Sequence, residues 1–492
     1  MSGSLGDLVP SLADYLRILP EIILTIFGIA VMMLEAVSQG KRTYLGVISL
    51  VGIAAALVAN VPGLLTGTLP LPETAFHQMI IVDGYAVFFR AIVMGVGFLS
   101  ILGSLSYLDR EESRNGEFYS LILFSLVGQC IMVTAEDLIM VFIGLEISSI
   151  ATYILAGFLR DDRRNNESAL KYFLLGSFAT AFLLYGTAWI FGLVGSTNLD
   201  VIRKWGGENQ SSVIMSVAVA LVFVGLAFKV SVAPFQMWAP DVYQGAAAPA
   251  SGFMSAGPKA AAFAVFFRLF MTSFLPIHDR WAWLVWGCAI GTMFVGNLGA
   301  LLQTNVKRLL GYSSIAHAGY VMVALASAST IGVSAAMFYL ASYAFMNVGA
   351  FAVIGYAASR NERFVKIEDL AGLGRRQPAV AALLSIFVFS LIGVPLTGGF
   401  AAKFLIFRAA LDSHLVWLTI LGLANSAIAA YYYLKIIVAI YMRDPDVAAM
   451  QLEAPPASLQ LALWVSAFGV LLLGIFPSAL LQFANSSAAS LR

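Results

Sequence analysis

Charge is what this chain has least of. Asp, Glu, Lys and Arg make up 11% of its 492 residues, against about 25% in an ordinary soluble domain. The formal net charge is +1, which excludes the basic footprint of a nucleic-acid binder. Cysteine is nearly missing. Cys130 and Cys288 both lie in apolar segments and form no C-x-x-C pair, so a disulfide framework, a zinc site and an iron–sulfur cluster all lack ligands. Histidine is equally sparse. His77, His278 and His414 read as loop residues, and only His317 falls in an apolar segment, which leaves no pair of axial ligands for a haem. No metal and no cofactor are expected in this chain.

What the chain does have is apolar length. It is 60% hydrophobic, and a membrane-spanning helix needs about 20 apolar residues. Fourteen such spans can be laid out, near 15–37, 43–65, 80–106, 117–134, 136–158, 168–193, 212–243, 250–273, 281–302, 307–327, 331–357, 380–410, 415–441 and 457–484. The expected fold is an all-α polytopic membrane protein. The first span has no basic region before it and contains Glu21 and Glu35, so it reads as a mature helix rather than a signal peptide. The longest polar loop runs over 359–377. Its piece Val365-Lys-Ile-Glu-Asp-Leu370 reads as a short amphipathic segment on the membrane surface.

The basic residues divide by face. Sixteen of the 28 Lys and Arg fall on one side of these spans, among them Lys41, Arg42, Arg114, Lys307 and Arg308, and five on the other, including Arg492. Cytoplasmic loops carry the excess of Lys and Arg. The basic face is therefore expected in the cytoplasm or an organelle matrix, and both termini on the outer face, periplasmic where the membrane is the bacterial inner one rather than the mitochondrial inner one. Seven basic residues remain inside the spans: Arg90, Lys229, Lys259, Arg268, Lys403, Arg408 and Lys435. Intramembrane ionisable residues are costly and mark functional sites by default.

Two spans are too long. Segments 212–243 and 380–410 each exceed 30 residues, and each has a proline near its middle, Pro234 and Pro395. Proline removes a donor and clashes with the preceding turn, so both helices are expected to break. Interrupted helices in corresponding positions of two halves point to an inverted-repeat transporter. The chain is therefore divided into N-terminal helices (1–116), a first repeat (117–273), a second repeat (281–441) and a C-terminal helix (442–492). Each broken helix carries a lysine, Lys229 before its proline and Lys403 after it.

The other candidates follow from depth. Glu146 lies ten residues after Glu136, about 15 Å along a helix and close to mid-bilayer. A carboxylate moving toward a buried ammonium favours its charged form, so Glu146 is expected to act on Lys229. Lys259 follows Gly257-Pro258, taken as the broken start of its span, and reads as a relay. His317, with an unperturbed pKa near 6.5, reads as a second relay, beside the hydroxyls of Ser313, Ser314 and Tyr320. Lys435 sits nearer a helix end and can also snorkel. Arginine hardly deprotonates, so Arg90, Arg268 and Arg408 are expected to anchor or pair.

Several stretches together resemble the antiporter-like membrane subunits of respiratory complex I, closest to the N type (subunit 2 in mitochondria). They are Gly144-Leu-Glu146, the run from Glu167 to Gly176, Phe228-Lys-Val-Ser-Val-Ala-Pro-Phe-Gln-Met-Trp-Ala-Pro-Asp-Val-Tyr243, Lys307-Arg-Leu-Leu-Gly-Tyr-Ser-Ser-Ile-Ala-His317, and Gly393-Val-Pro-Leu-Thr-Gly-Gly-Phe400 with Lys403. The resemblance implies proton translocation coupled to NADH:quinone electron transfer. It implies that NADH, FMN, the iron–sulfur clusters and quinone are bound in partner subunits, with no redox chemistry in this chain. It also implies neighbours: the middle antiporter-like subunit, the small membrane subunits and lipids. By the same resemblance Glu146 and Lys229 correspond to a coupling pair, Lys259 to a connecting lysine, His317 to a central polar position and Lys403 to a distal site. Lys403 stands where the middle subunit has a glutamate, and no long helix follows the last span, which speaks against the other two antiporter-like types. A subunit of a multi-subunit cation/proton antiporter shares the fold and the Glu–Lys pattern and is the alternative. A membrane scaffold with polar residues gluing helices together is the third.

Overall fold

The computed structural model describes residues 10–37, 43–60, 73–113, 115–444 and 452–491. Lys41, Arg42, Arg114 and Arg492, counted above, and the end of the second expected span (61–65) lie outside them. The chain is helical almost throughout, in the order α1 (Leu12–Arg17), α2 (Leu19–Val37), α3 (Thr43–Asn60), α4 (Gly84–Arg110), α5 (Asn115–Thr134), α6 (Leu138–Ala156), α7 (Arg163–Val194), α8 (Leu199–Glu208), α9 (Val213–Lys229), α10 (Trp238–Gly245), α11 (Ala248–Arg268), α12 (His278–Leu301), α13 (Val306–Ala326), α14 (Thr330–Ala357), α15 (Leu373–Arg376), α16 (Pro378–Ile392), α17 (Gly398–Asp412), α18 (Val416–Met442), α19 (Ala457–Ile475) and α20 (Ser478–Ala489). A two-stranded hairpin, β1 (Glu73–Ala75) and β2 (Ile80–Val82), precedes α4.

Twelve helical segments among the described residues are long and apolar enough to cross a membrane. The remaining two expected spans are the broken ones. The first divides into α9 and α10 and the second into α16 and α17. Non-helical backbone is tolerated at membrane depth only where protein or a wet cavity surrounds it. The chain covers each break in part: 230–233 and Thr397 are buried, while Pro234, Met237 and 394–396 are exposed. Trp238, Ala239 and Pro240 at the first are buried, as are Gly398 and Gly399 at the second.

The bundle has a buried heart. Every residue of α11 is buried, and most of α13 and α14 are. Around them stand helices with one apolar face turned outward, such as α7 and α2. Where no water is present, an outward apolar face is the favourable one, because it meets hydrocarbon.

Three details differ from the sequence reading. Pro258 does not open its span. The helix starts at Ala248, with Pro249 in its first turn, and runs through Pro258 to Arg268. An early proline costs nothing because the first N–H groups have no partner anyway, and the interior one is held by burial on all sides. Lys307 is not a loop cation: it is buried in α13 and bonded to Glu362. The segment 365–370 is not a free surface piece. Val306 N donates to Val365 O (2.8 Å) and Ile367 N to Thr304 O (2.9 Å), with Ile367 and Leu370 buried. Lys366 is thereby pinned opposite Asn305, just before the start of α13.

Candidate functional site

The site begins where α9 stops. Lys229 is the last residue of that helix, so it stands at the negative end of a helix dipole, which favours a cation. Its Nζ donates to Ser149 Oγ (2.9 Å) and to Tyr172 OH (3.2 Å). Tyr172 in turn stacks on Trp238 at 4.4 Å, and Trp238 Nε1 closes the helix end by donating to Phe228 O (2.9 Å).

Lys229 and the expected Glu146 are both on this side of the bundle but do not form an ion pair. Glu146 lies one helical turn before Ser149 on α6. Its Oε1 is buried without a hydrogen-bond partner in the chain. The hydroxyls of Ser149 and Tyr172 stand where the carboxylate was expected.

Lys259 lies midway along α11. Its Nζ donates to Ser314 O (2.9 Å) and bonds Ser314 Oγ. Ser313, the preceding residue on α13, bonds the Tyr433 hydroxyl. Tyr433 OH is 3.2 Å from His317 Nε2, and Tyr339 OH bonds the other imidazole nitrogen, Nδ1. His317 thus sits between two phenols, one of which reaches back toward the serine pair at Lys259. Tyr320 packs edge-on against His317 with centroids 5.8 Å apart, and its ring lies 4.9 Å from Lys403 Nζ.

Lys403 completes the row. Its Nζ donates to Leu391 O (3.0 Å), Ile392 O (2.9 Å) and Ser426 Oγ (2.9 Å). Leu391 and Ile392 are the last residues of α16, and their carbonyls have no partner within that helix. Lys403, on α17, reaches back across the break to bond them. The two broken helices are therefore alike in one respect. Each has a lysine at the C-terminal end of its first half: Lys229 is the last residue of that half and bonds Ser149 and Tyr172, whereas Lys403 comes from the second half and bonds the end carbonyls themselves.

Lys435 is set apart. It is half-buried, donates to Leu301 O at 3.4 Å and lies 4.7 Å from the Tyr431 ring. Among the described residues, neither of these contacts joins it to the row of Lys229, Lys259, His317 and Lys403. Arg408 is exposed and lies 3.8 Å from Asp412.

Sequence reading missed most of the connecting groups. Ser149, Tyr172, Tyr339, Tyr433 and Ser426 are ordinary residues, and only contact geometry singles them out. A signal existed for two of them. Ser148-Ser149 follows Glu146 by one turn, and Tyr431-Tyr-Tyr433 is an unusual run of hydroxyls in an apolar span.

The buried cations fall into two classes. Arg90 is paired with Glu21 (2.6 Å), Arg268 with Asp83 (3.0 Å), and Lys307 with Glu362. Lys229, Lys259 and Lys403 have hydroxyls and carbonyls around them, and among the described residues none has a carboxylate within ion-pair distance.

Known proteins share this architecture. Residues 135–429 match the family described as NADH:quinone oxidoreductase/Mrp antiporter, TM. The chain is 56% identical over 481 residues to NADH-quinone oxidoreductase subunit N 1 of Solibacter usitatus (strain Ellin6076), covering 97% of this chain and 98% of that protein. It superposes on a chain of respiratory complex I from Thermus thermophilus with a TM-score of 0.79, at 31% identity, covering 94% and 98% of the two chains. A chain of the Mrp complex from Dietzia sp. DQ12-45-1b has the same fold, with a TM-score of 0.83 at 21% identity over 97% of each chain. The chain therefore belongs to the NADH:quinone oxidoreductase/Mrp antiporter membrane family, within the branch of NADH-quinone oxidoreductase subunit N.

Proposed function

We propose that this chain is a proton-translocating membrane subunit of NADH:quinone oxidoreductase, moving protons along Lys229, Lys259, His317 and Lys403 while electrons pass from NADH to quinone in other subunits. The observation that carries this reading is the row of three buried lysines without carboxylate partners. A buried ion pair locks its cation, because removing one partner strands a charge. A lysine surrounded only by neutral acceptors is not locked in this way and can gain and lose a proton.

The basic face is the cytoplasmic one in this reading, both termini are periplasmic, and the membrane is the bacterial inner membrane. The repeats are 117–273 and 281–441, each with its broken helix. The partners are the middle antiporter-like subunit and the small membrane subunits. The FMN, the iron–sulfur clusters and the quinone site lie in other subunits of the complex. Glu146 is the coupling group. Its carboxylate is close to Lys229 along α6 but not bonded to it, so a shift of α6 or α9 driven by a neighbour brings the charge nearer and loads Lys229. A shift back releases the proton toward Lys259. Serine and tyrosine hydroxyls carry it from Lys259 past His317 to Lys403. Lys435, toward the basic end of α18, is a further candidate member.

The test uses the assembled complex in inverted membrane vesicles. Lys229→Ala should leave assembly intact and abolish NADH-driven proton uptake into the vesicles. Full proton pumping by a normally assembled Lys229→Ala complex would overturn the role of Lys229. A sodium-dependent pH change without NADH would instead favour the cation/proton antiporter.

A further inference from the structure

A cleft of about 390 Å³ enters the protein at its basic end, between α4, α11, α14 and the segment that leads into α19. Its wall on α4 runs from Leu99 to Arg110, about 16 Å at 1.5 Å per residue. The cleft therefore reaches from the helix ends to roughly half the depth of the membrane.

The mouth is charged but internally neutralised. Arg110 is paired with Glu111 (3.3 Å) and Arg360 with Glu112 (2.9 Å), and Glu453 stands beside them. Each arginine thus already has a carboxylate neighbour. The floor is polar. Ser100 lines it, and its Oγ is buried with no hydrogen-bond partner in the chain. Val348 lines the opposite wall, and its neighbour Asn347 has a buried Oδ1 that is likewise unpartnered. Unpaired buried polar atoms cost about 1–3 kcal/mol each unless something bonds them. A space this size holds on the order of ten waters, and an acyl chain would leave Ser100 Oγ, the one of the two on the cleft wall, unsatisfied.

Beyond the floor the polar groups continue toward Lys259. Asn347 Nδ2 bonds Ser255 Oγ. Ser255 lies on α11 four residues before Lys259, so the two side chains share a face and their β-carbons stand about 6 Å apart.

We propose that this cleft is a water-filled proton-uptake branch that supplies Lys259 directly from the basic face, separate from the route through Lys229. It rests on the proton-translocating reading above and adds a second entrance to it. A proton from the cytoplasmic water passes along the waters of the cleft, past Ser100 and Ser255, and is taken up by Lys259 Nζ. Only O–H and N–H bonds exchange. Two inputs converging on one lysine allow the central row to reload while Lys229 is held by Glu146.

The experiment uses the complete complex in inverted vesicles, with Ser100→Cys in a Cys130→Ala/Cys288→Ala background and a charged, water-soluble methanethiosulfonate as the probe. Ser100→Cys should react from the basic face, and the attached group should lower NADH-driven pumping at least threefold. Gly103→Leu should do the same without a reagent. A β-carbon there meets only Ala352 and Ala462, at 3.6 and 3.9 Å, so the added side chain narrows the cleft without forcing the helices apart. Reaction with an apolar maleimide but not with the charged reagent would overturn the proposal in favour of a dry or lipid-filled cleft. Complete reaction with unchanged pumping would overturn it too, leaving a wet cleft that feeds nothing. If Lys229→Ala stops pumping while the plugged Ser100→Cys complex pumps normally, the uptake branch alone is wrong. If Lys229→Ala pumps normally, the reading beneath it is wrong, whatever Ser100→Cys shows.

Discussion

At the scale of single residues, partners decide what an ionisable group can do. Tyr433 is the clearest case. Its one hydroxyl serves both Ser313 and His317, so it joins the Lys259 end of the row to the imidazole. Tyr433→Phe keeps the ring and removes that link. It should leave the complex assembled and slow NADH-driven pumping by about tenfold, which corresponds to roughly 1.4 kcal/mol on the barrier. Unchanged pumping would mean that protons bypass His317. Glu136, on the turn between α5 and α6, gives a pH-dependent case. Burial is the main reason its carboxyl is pushed up to about 7 from 4.5. Arg268 opposes the shift, while Asp83 and Asp200 add to it and Arg203 opposes it again. A raised carboxyl favours the protonated folded form, so its stabilising effect is complete below pH 4.5 and is lost as pH rises through about 7. Glu136 N donates to Met79 O (2.9 Å). Amide exchange in the hairpin around Met79 to Ile81 should therefore quicken as pH passes 7, beyond the intrinsic base dependence. In Glu136→Gln that extra step should vanish. The lysines, His317 and Glu146 were legible in the sequence because a charge in an apolar run is conspicuous. Their bonding partners were not, because serine and tyrosine are unremarkable in any helix until a distance picks them out.

At the scale of elements, the breaks matter more than the helices. Span length and proline position announced both interrupted helices, and the chain divides at both. The opposite inference failed at Pro258, where local chemistry argued for a break and the packing around α11 overrode it. The register puzzle of Lys229 and Lys403 has a physical answer that sequence spacing does not contain. What the two lysines share is a half-helix C-terminus, not a distance from proline. The second break is unusually tight. A β-carbon on Gly399 would lie 1.8 Å from Ser390 O, and Gly399 N donates to Ser390 Oγ (3.0 Å). Gly399→Ala must push α17 away from α16 and draw Lys403 off the Leu391 and Ile392 carbonyls. Overpacking of this kind costs about 1–3 kcal/mol. Ser426→Ala removes only one of the three acceptors of Lys403 and leaves the break unchanged. Pumping should therefore fall much further in Gly399→Ala than in Ser426→Ala, with the larger drop in melting temperature of the purified complex also in Gly399→Ala. Equal effects would mean that the hydroxyl, and not the half-helix end, matters to Lys403.

At the scale of the whole molecule, the carboxylates that form buried ion pairs hold the periphery, apart from the central lysines. Arg90 joins α4 to Glu21 of α2, Arg268 joins the far end of α11 to Asp83 before α4, and Lys307 joins α13 to Glu362 beyond α14. Glu362 also accepts from Tyr107 OH (2.8 Å) and Ala248 N (2.7 Å), tying the basic ends of four helices together. These pairs serve as clamps, and the Arg90–Glu21 pair offers the cleanest test. Arg90 Nε and Nη2 both donate to Glu21 Oε1, at 2.9 and 2.6 Å. Glu21→Ala leaves a guanidinium buried and uncompensated, which costs about 3–5 kcal/mol, whereas replacing both partners by apolar residues of similar size is often neutral. Glu21→Ala should therefore loosen α2, seen as faster amide exchange and easier proteolysis of the first helices. Glu21→Leu combined with Arg90→Met should restore both to near the parental level. If the pair is only a clamp, the double variant pumps normally, because none of Lys229, Lys259, His317 or Lys403 touches it. A double variant with firm helices but lost pumping would place Glu21 or Arg90 on the proton path, and the division between clamped periphery and unpaired central row would fail.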